Sequence, residues 1–246
     1  MIDGLLAAAS GMEAEQFQLD AVSNDMANIS TPGYQSATLG FHDLLYASDG
    51  PANGTTQATG DGAAASIVGR DQTPGAIAQT GRPLDVAIHG DGYLEVRRPN
   101  GTIGLTRNGA LQLNANRQLT GQSGMPLVPP VTIPNGVPLD AIAIAPDGTV
   151  RANGRAVGRI GVVTVPAPDQ LLAAGDSTFT ATAASGAIRP APAGTTLTQG
   201  TLEASNVDLA TAMGKMIDAQ TSYSMDSRAI QMQDQMMQIA NQIGPR

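Results

Sequence analysis

The sequence predicts an α+β protein: long N- and C-terminal helices forming a coiled-coil-like pair, with a central antiparallel β domain. Three observations carry this expectation. Of the 16 prolines, all but Pro32 and Pro245 fall between Pro51 and Pro192, so the two ends are free to run as helices. Apolar residues recur every seven positions at both ends, the spacing of a helical seam. Between them, Asx-Gly dipeptides punctuate short β-rich runs, as hairpin turns require.

Residues 1–31 read as the first helix. Leu5, Met12, Leu19 and Met26 stand seven apart, and Thr31-Pro32-Gly33 stops the pattern. Residues 32–79 read as an extended connector, with Ala47–Ala65, rich in Gly, Ala, Thr and Asp, as an exposed loop. Residues 80–198 read as the antiparallel β domain. Its turns are placed at Asp91-Gly92, Asn100-Gly101, Asn108-Gly109, Asn135-Gly136, Asp147-Gly148 and Asn153-Gly154. Its strands are placed at 84–88, 93–96, 110–113, 141–145 and 160–165. Residues 199–246 hold the second long helix, read from Asn206 to Ile243, whose seam is Leu209, Met216, Tyr223, Ile230 and Met237. A second stripe, Met225, Ala229, Met232, Met236, Ile239 and Ile243, occupies another face of that helix, which therefore needs more than one partner. Periodicity alone equally fits an ordinary antiparallel helical hairpin. The position of the helices at opposite ends, and the length of the repeat, favour long-range coiled packing.

Composition narrows the function classes. The 246 residues are 41% hydrophobic, enough for a core, and that core must be aliphatic because there are only 3 Phe and 4 Tyr and no Trp. The net charge is −8, and no Lys or Arg precedes Arg70, whereas Asp3, Glu13, Glu15, Asp20, Asp25, Asp43, Asp49 and Asp61 do. Such a segment repels phosphate backbones and anionic lipid, so neither nucleic acid nor membrane insertion is expected. Cysteine is absent, which removes disulfides, thiolate metal sites and a cysteine nucleophile. The start lacks a basic stretch, so no cleaved signal is expected, and no apolar run approaches the ~20 residues of a spanning helix.

No enzyme chemistry is expected. His42 and His89 have no companions at metal or triad spacing. Gly60-Asp61-Gly62 and Gly90-Asp91-Gly92 complete no phosphate-cradling pattern and read as turns. Catalytic, cofactor and metal residues are accordingly expected to be none.

The ends carry more specific signals. Asp25-Met26-Ala27-Asn28-Ile29-Ser30-Thr31-Pro32-Gly33-Tyr34 resembles the Asn-Leu-Ala-Asn-x-x-Thr-x-Gly-aromatic pattern that closes the first helix of flagellar rod and hook proteins, the matching positions being Asn28, Thr31, Gly33 and Tyr34. Leu202-Glu203-Ala204-Ser205-Asn206-Val207-Asp208 resembles the lead-in to their last helix through Ser205, Asn206 and Val207. Asp85–Tyr93 and Thr106-Arg107-Asn108-Gly109 are similar to internal motifs of the proximal and distal rod subunits. The run Arg82–Ala87 leans proximal, and Phe41–Tyr46 leans distal. Two departures stand out. Gln220-Thr221-Ser222-Tyr223-Ser224 lacks a basic and an acidic residue usual in the family. Arg117 replaces a turn glycine, which places the left-handed conformation at Asn116.

The resemblance implies a structural subunit of the flagellar basal-body rod that self-assembles into a torque-transmitting helical tube around the export channel. It implies self, other rod subunits, hook-basal-body components and the flagellar type III export apparatus as partners. It implies export to the cell envelope without cleavage. The competing classes are a secreted binding module dimerised by its terminal helices, which predicts discrete oligomers, and a cell-wall glycan hydrolase.

Overall fold

The computed structural model of the protein describes residues 2–44, 46–47, 59–60 and 62–243. The chain forms an α+β fold in two compact units. One comprises residues 1–27, 37–68 and 208–246, the other residues 28–36 and 69–207.

The first unit is built on α1 (Ile2–Ala27) and α2 (Leu209–Ile243), which pack along each other. Neither helix contains proline, and Asp208 supplies the cap of α2. Its carboxylate accepts the Thr211 amide at 2.8 Å, satisfying one of the amides that a helix start leaves open. The helix begins close to the expected Asn206, and the start of the segment 199–246 is not helical, because Thr201–Glu203 pairs as a strand with Ile77–Gln79 in the second unit. Strands Ala37–Asp43 and Ala63–Arg70 pair with each other. Asp25 of α1 accepts the Ala37 amide at 3.2 Å, and Ser10 accepts that of Ala63 at 3.2 Å, which ties the strands to α1. Within the stretch 47–65, Ala47, residues 59–60 and residues 63–65 are strand rather than loop. Residues 48–58 and 61 of that stretch lie outside the described residues.

The second unit holds the antiparallel sheets. Its largest has six strands in the order 172–175, 178–180, 103–106, 93–97, 162–164 and 189–190. Alternation along Tyr93–Arg97 explains why both faces of this sheet are filled. Leu94 and Val96 enter one aliphatic core with Val86, Ile88, Leu111 and Leu127, while Tyr93 enters a second with Leu105, Leu171 and Phe179. A three-stranded meander, 142–144, 149–152 and 155–159, adds Ile142, Ile144 and Val150 to the larger core. Strand 196–199 pairs with 86–89 and returns the chain toward α2 in sequence.

Four of the expected turn glycines, Gly101, Gly136, Gly148 and Gly154, have positive φ. The other two do not. Gly109 is required because its backbone lies against Val86, whose carbonyl a Cβ would strike. Arg117 itself takes the left-handed conformation expected at Asn116, with φ 57°. Its guanidinium donates to the carbonyls of Val137 at 2.7 Å and Ile133 at 3.3 Å, which offsets the strain.

Candidate assembly surfaces

Two glycines of α1 face polar side chains of α2. A Cβ on Gly11 would stand 2.9 Å from Asp226 Oδ2, and one on Gly4 would stand 3.1 Å from Gln233 Nε2. Each step forward in α1 is matched by an equal step back in α2, so the pair is antiparallel. Ala14 and Val22 of α1, and Ala212 and Ala219 of α2, are its buried apolar residues. Of the expected seam, Met12, Leu19, Met26, Met216, Ile230 and Met237 are half-buried, whereas Leu209 and Tyr223 are exposed. The side chain of Leu5 lies outside the described residues. One electrostatic cost sits in this contact. Partial burial, then the facing charge of Asp226, push the Glu15 carboxyl above its ordinary range.

The second stripe of α2 points away from that contact. Met225 is 57% exposed, Met232 and Met236 are each 59% exposed, and Ala229 and Ile239 are exposed as well. At 100° per residue these positions fall on a different face from Ala212, Ala219 and Ile230. These side chains form a row of exposed aliphatic and thioether groups along a long helix.

In the second unit the two terminal motifs meet. Thr31 Oγ1 donates to Asn28 Oδ1 at 3.1 Å, and the Thr31 amide donates to the Asn28 carbonyl at 3.0 Å, which tightens the turn. Gly33 follows at φ 65°, pressed on Arg107 and Asn108 so closely that a Cβ would stand 2.5 Å from the Arg107 carbonyl carbon. Its amide donates to the Glu203 carbonyl at 2.9 Å. Tyr34 accepts the Asn206 amide on its carbonyl at 3.2 Å, and the Ser36 amide donates to Asn206 Oδ1 at 2.8 Å. The Asn206 amide group donates onward to the carbonyls of Asp71 and Thr73 at 3.0 and 3.1 Å. Ser205 Oγ accepts the Val207 amide at 3.2 Å.

An ion pair lies beneath this meeting point. Arg107 Nε donates to both Glu203 oxygens, at 2.9 and 3.1 Å, with the two side chains only 4% and 3% exposed. Arg107 Nη1 also reaches the Gly92 carbonyl at 3.1 Å, and the Gly75 amide donates to Glu203 Oε1 at 3.2 Å. With Arg107 Nη2 donating to the Gly90 carbonyl at 3.4 Å, each guanidinium nitrogen and each carboxylate oxygen of the pair has a partner, the condition under which a buried pair is tolerated. The guanidinium carbon also stands 5.9 Å from the centre of the Tyr93 ring. Burial pushes the Tyr93 phenol above its ordinary range against the opposing pull of Arg107, so it stays neutral and donates to Gln72 Oε1 at 2.6 Å.

Asn28, Thr31, Gly33, Tyr34, Ser205 and Asn206 thus converge in space. Arg107 and Glu203, each inside a motif legible in the sequence, form the pair that the sequence reading did not single out. Among the described residues no helix is long and apolar enough to cross a membrane, and no cluster of His, Asp and Glu could hold a metal ion.

Fold and site together define a chain whose terminal motifs lock into one β unit while its C-terminal helix carries a row of exposed apolar groups. Comparison with known proteins agrees. Residues 5–35 match the family model described as flagella basal body rod protein. Residues 87–152 match that of the flagellar hook protein FlgE/F/G D1 domain, and residues 198–243 that of the flagellar basal body rod FlgEFG protein C-terminal. Over 98% of its length the chain is 34% identical to 99% of the flagellar basal-body rod protein FlgG of Caulobacter vibrioides. It is 33% identical to FlgG of Borreliella burgdorferi, with 99% of each chain covered. It is also 33% identical to the flagellar basal-body rod protein FlgF of Salmonella typhimurium, with 98% of each covered. The chain belongs to the flagellar basal-body rod protein family.

Proposed function

We propose that this chain, a structural subunit of the flagellar basal-body rod, self-assembles with its neighbours into a helical tube that transmits torque and encloses an export channel. In this reading α1 and α2 pair in coiled-coil fashion within each subunit, and the Met225, Ala229, Met232, Met236, Ile239 stripe meets neighbouring subunits. The subunit passes through the flagellar type III export apparatus to the cell envelope, where it joins other rod subunits and hook-basal-body components. The observation that carries the reading is the exposed stripe itself. Ala14, Ala212 and Ala219 are buried while the methionine face is exposed, which supports leaving that face for another chain. Burying such side chains contributes roughly 1.5–3 kcal/mol each, repeated in every subunit along a tube.

The test is motility with export scored in parallel in a strain carrying Met232→Asp. The reading expects normal export of the variant, an intact helical pair and loss of swimming, because assembly would bury an unpaired carboxylate. Normal export with normal swimming would remove the stripe as an assembly surface.

A further inference from the structure

The exposed stripe is rich in a chemically reactive group. The chain has 10 Met and no Cys, so thioethers are its only oxidisable sulfur. Met232 and Met236 lie one helical turn apart, and Met225 lies on the same face two turns before Met232. Met125, by contrast, is 7% exposed and packed in the aliphatic core of the second unit. Sulfoxide formation turns a flexible apolar side chain into a polar one and disrupts methionine-rich contacts.

We propose that Met225, Met232 and Met236 form an oxidation-sensitive modification site through which peroxide-class oxidants control whether the unassembled subunit can associate. The sulfur lone pair attacks one peroxide oxygen and the O–O bond breaks. A sulfur–oxygen bond forms, and the other oxygen leaves as water with the proton of the transferred hydroxyl. The thioether loses two electrons and the peroxide gains them. Three sulfoxides along one stripe replace apolar surface with strong hydrogen-bond acceptors that water solvates and a packed helical contact does not. Assembly covers the same sulfurs, so the subunit is sensitive before incorporation and protected afterwards. The proposal rests on the reading of this stripe as the assembly surface.

The experiment treats dilute full-length protein with hydrogen peroxide, maps sulfoxides by peptide mass spectrometry, then concentrates the protein and follows assembly by sedimentation. Met225, Met232 and Met236 should oxidise at least tenfold faster than Met125, and the modified protein should stay in the supernatant. Methionine sulfoxide reductase with a dithiol should restore assembly. The triple variant Met225→Leu, Met232→Leu, Met236→Leu should assemble despite the same treatment. Normal assembly of protein oxidised at these three positions overturns the proposal, as does peroxide sensitivity of the triple-leucine variant. Failure of the reductase to restore assembly overturns it too, whether or not the leucine variant folds. If untreated protein forms no assembly at any concentration, the rod reading fails and the proposal falls with it.

Discussion

Arg107 and Glu203 place a full positive and a full negative charge where almost no water reaches, and each depends on the other. Glu203→Gln keeps the shape and removes the charge, leaving the guanidinium buried and uncompensated. Chemical denaturation of the second unit should register a loss of about 3–5 kcal/mol. The double change Arg107→Met with Glu203→Met should cost less than the sum of the single ones. Arg117 makes a second residue-scale test, since its backbone is strained and its side chain is bonded. Arg117→Ala keeps the strain and loses the Val137 contact, while Arg117→Gly loses the contact but relaxes the backbone. The glycine variant should therefore be the more stable of the two by about 1 kcal/mol in the same assay. Both features show the limit of reading residues singly. Arg107 and Glu203 stood in recognisable motifs, but nothing local pairs groups so distant in sequence. Arg117 stands at a turn position where the family has glycine, and what lets an arginine adopt the left-handed conformation there, its bonds to the Val137 and Ile133 carbonyls, is not local in sequence.

At the scale of the helices, the repeat of seven was legible at both ends because Leu, Met and Ile mark it. Which residues are buried was not, because Ala14, Ala212 and Ala219 are small, and small residues carry little weight in a hydrophobic pattern. Partial burial, and then the facing charge of Asp226, make the contribution of Glu15 pH-dependent. A carboxyl raised above its ordinary value binds its proton more tightly when folded. Its contribution is therefore fully present below the ordinary value of 4.5 and is lost as pH rises through the raised value. Asp226→Asn should raise the thermal midpoint of the helical circular dichroism at pH 7 and flatten its dependence on pH in that window. An unchanged midpoint and profile would show that the two carboxylates do not communicate. Asp208 acts with the opposite sign. Its hydrogen bonds from Thr211 hold its carboxyl below the usual range, so the cap of α2 is present above that range and is lost only as pH falls through the lowered value.

For the whole molecule, the division into helical ends and a β middle was visible in the proline distribution, but the limits of the β unit were not. Composition places the end of the β domain at residue 198. In the structure the second unit runs on to residue 207 and recruits residues 28–36, because the last strand supplies Glu203 and the following loop supplies Asn206. A fragment of residues 67–200 strands Arg107 without its counter-ion, whereas residues 67–207 retain it. The longer fragment should unfold cooperatively with a clearly higher midpoint. Equal midpoints would show that Glu203 contributes nothing to the unit.

Tubular self-assembly is tested most directly by electron microscopy of the purified full-length protein over rising concentration. The account predicts open-ended tubes that lengthen with concentration, since a subunit that bonds head to tail on a face distinct from its own helical contact has no closed stopping point. Closed dimers or other discrete oligomers of fixed size at every concentration would contradict it, and would favour a secreted binding module held together by its terminal helices.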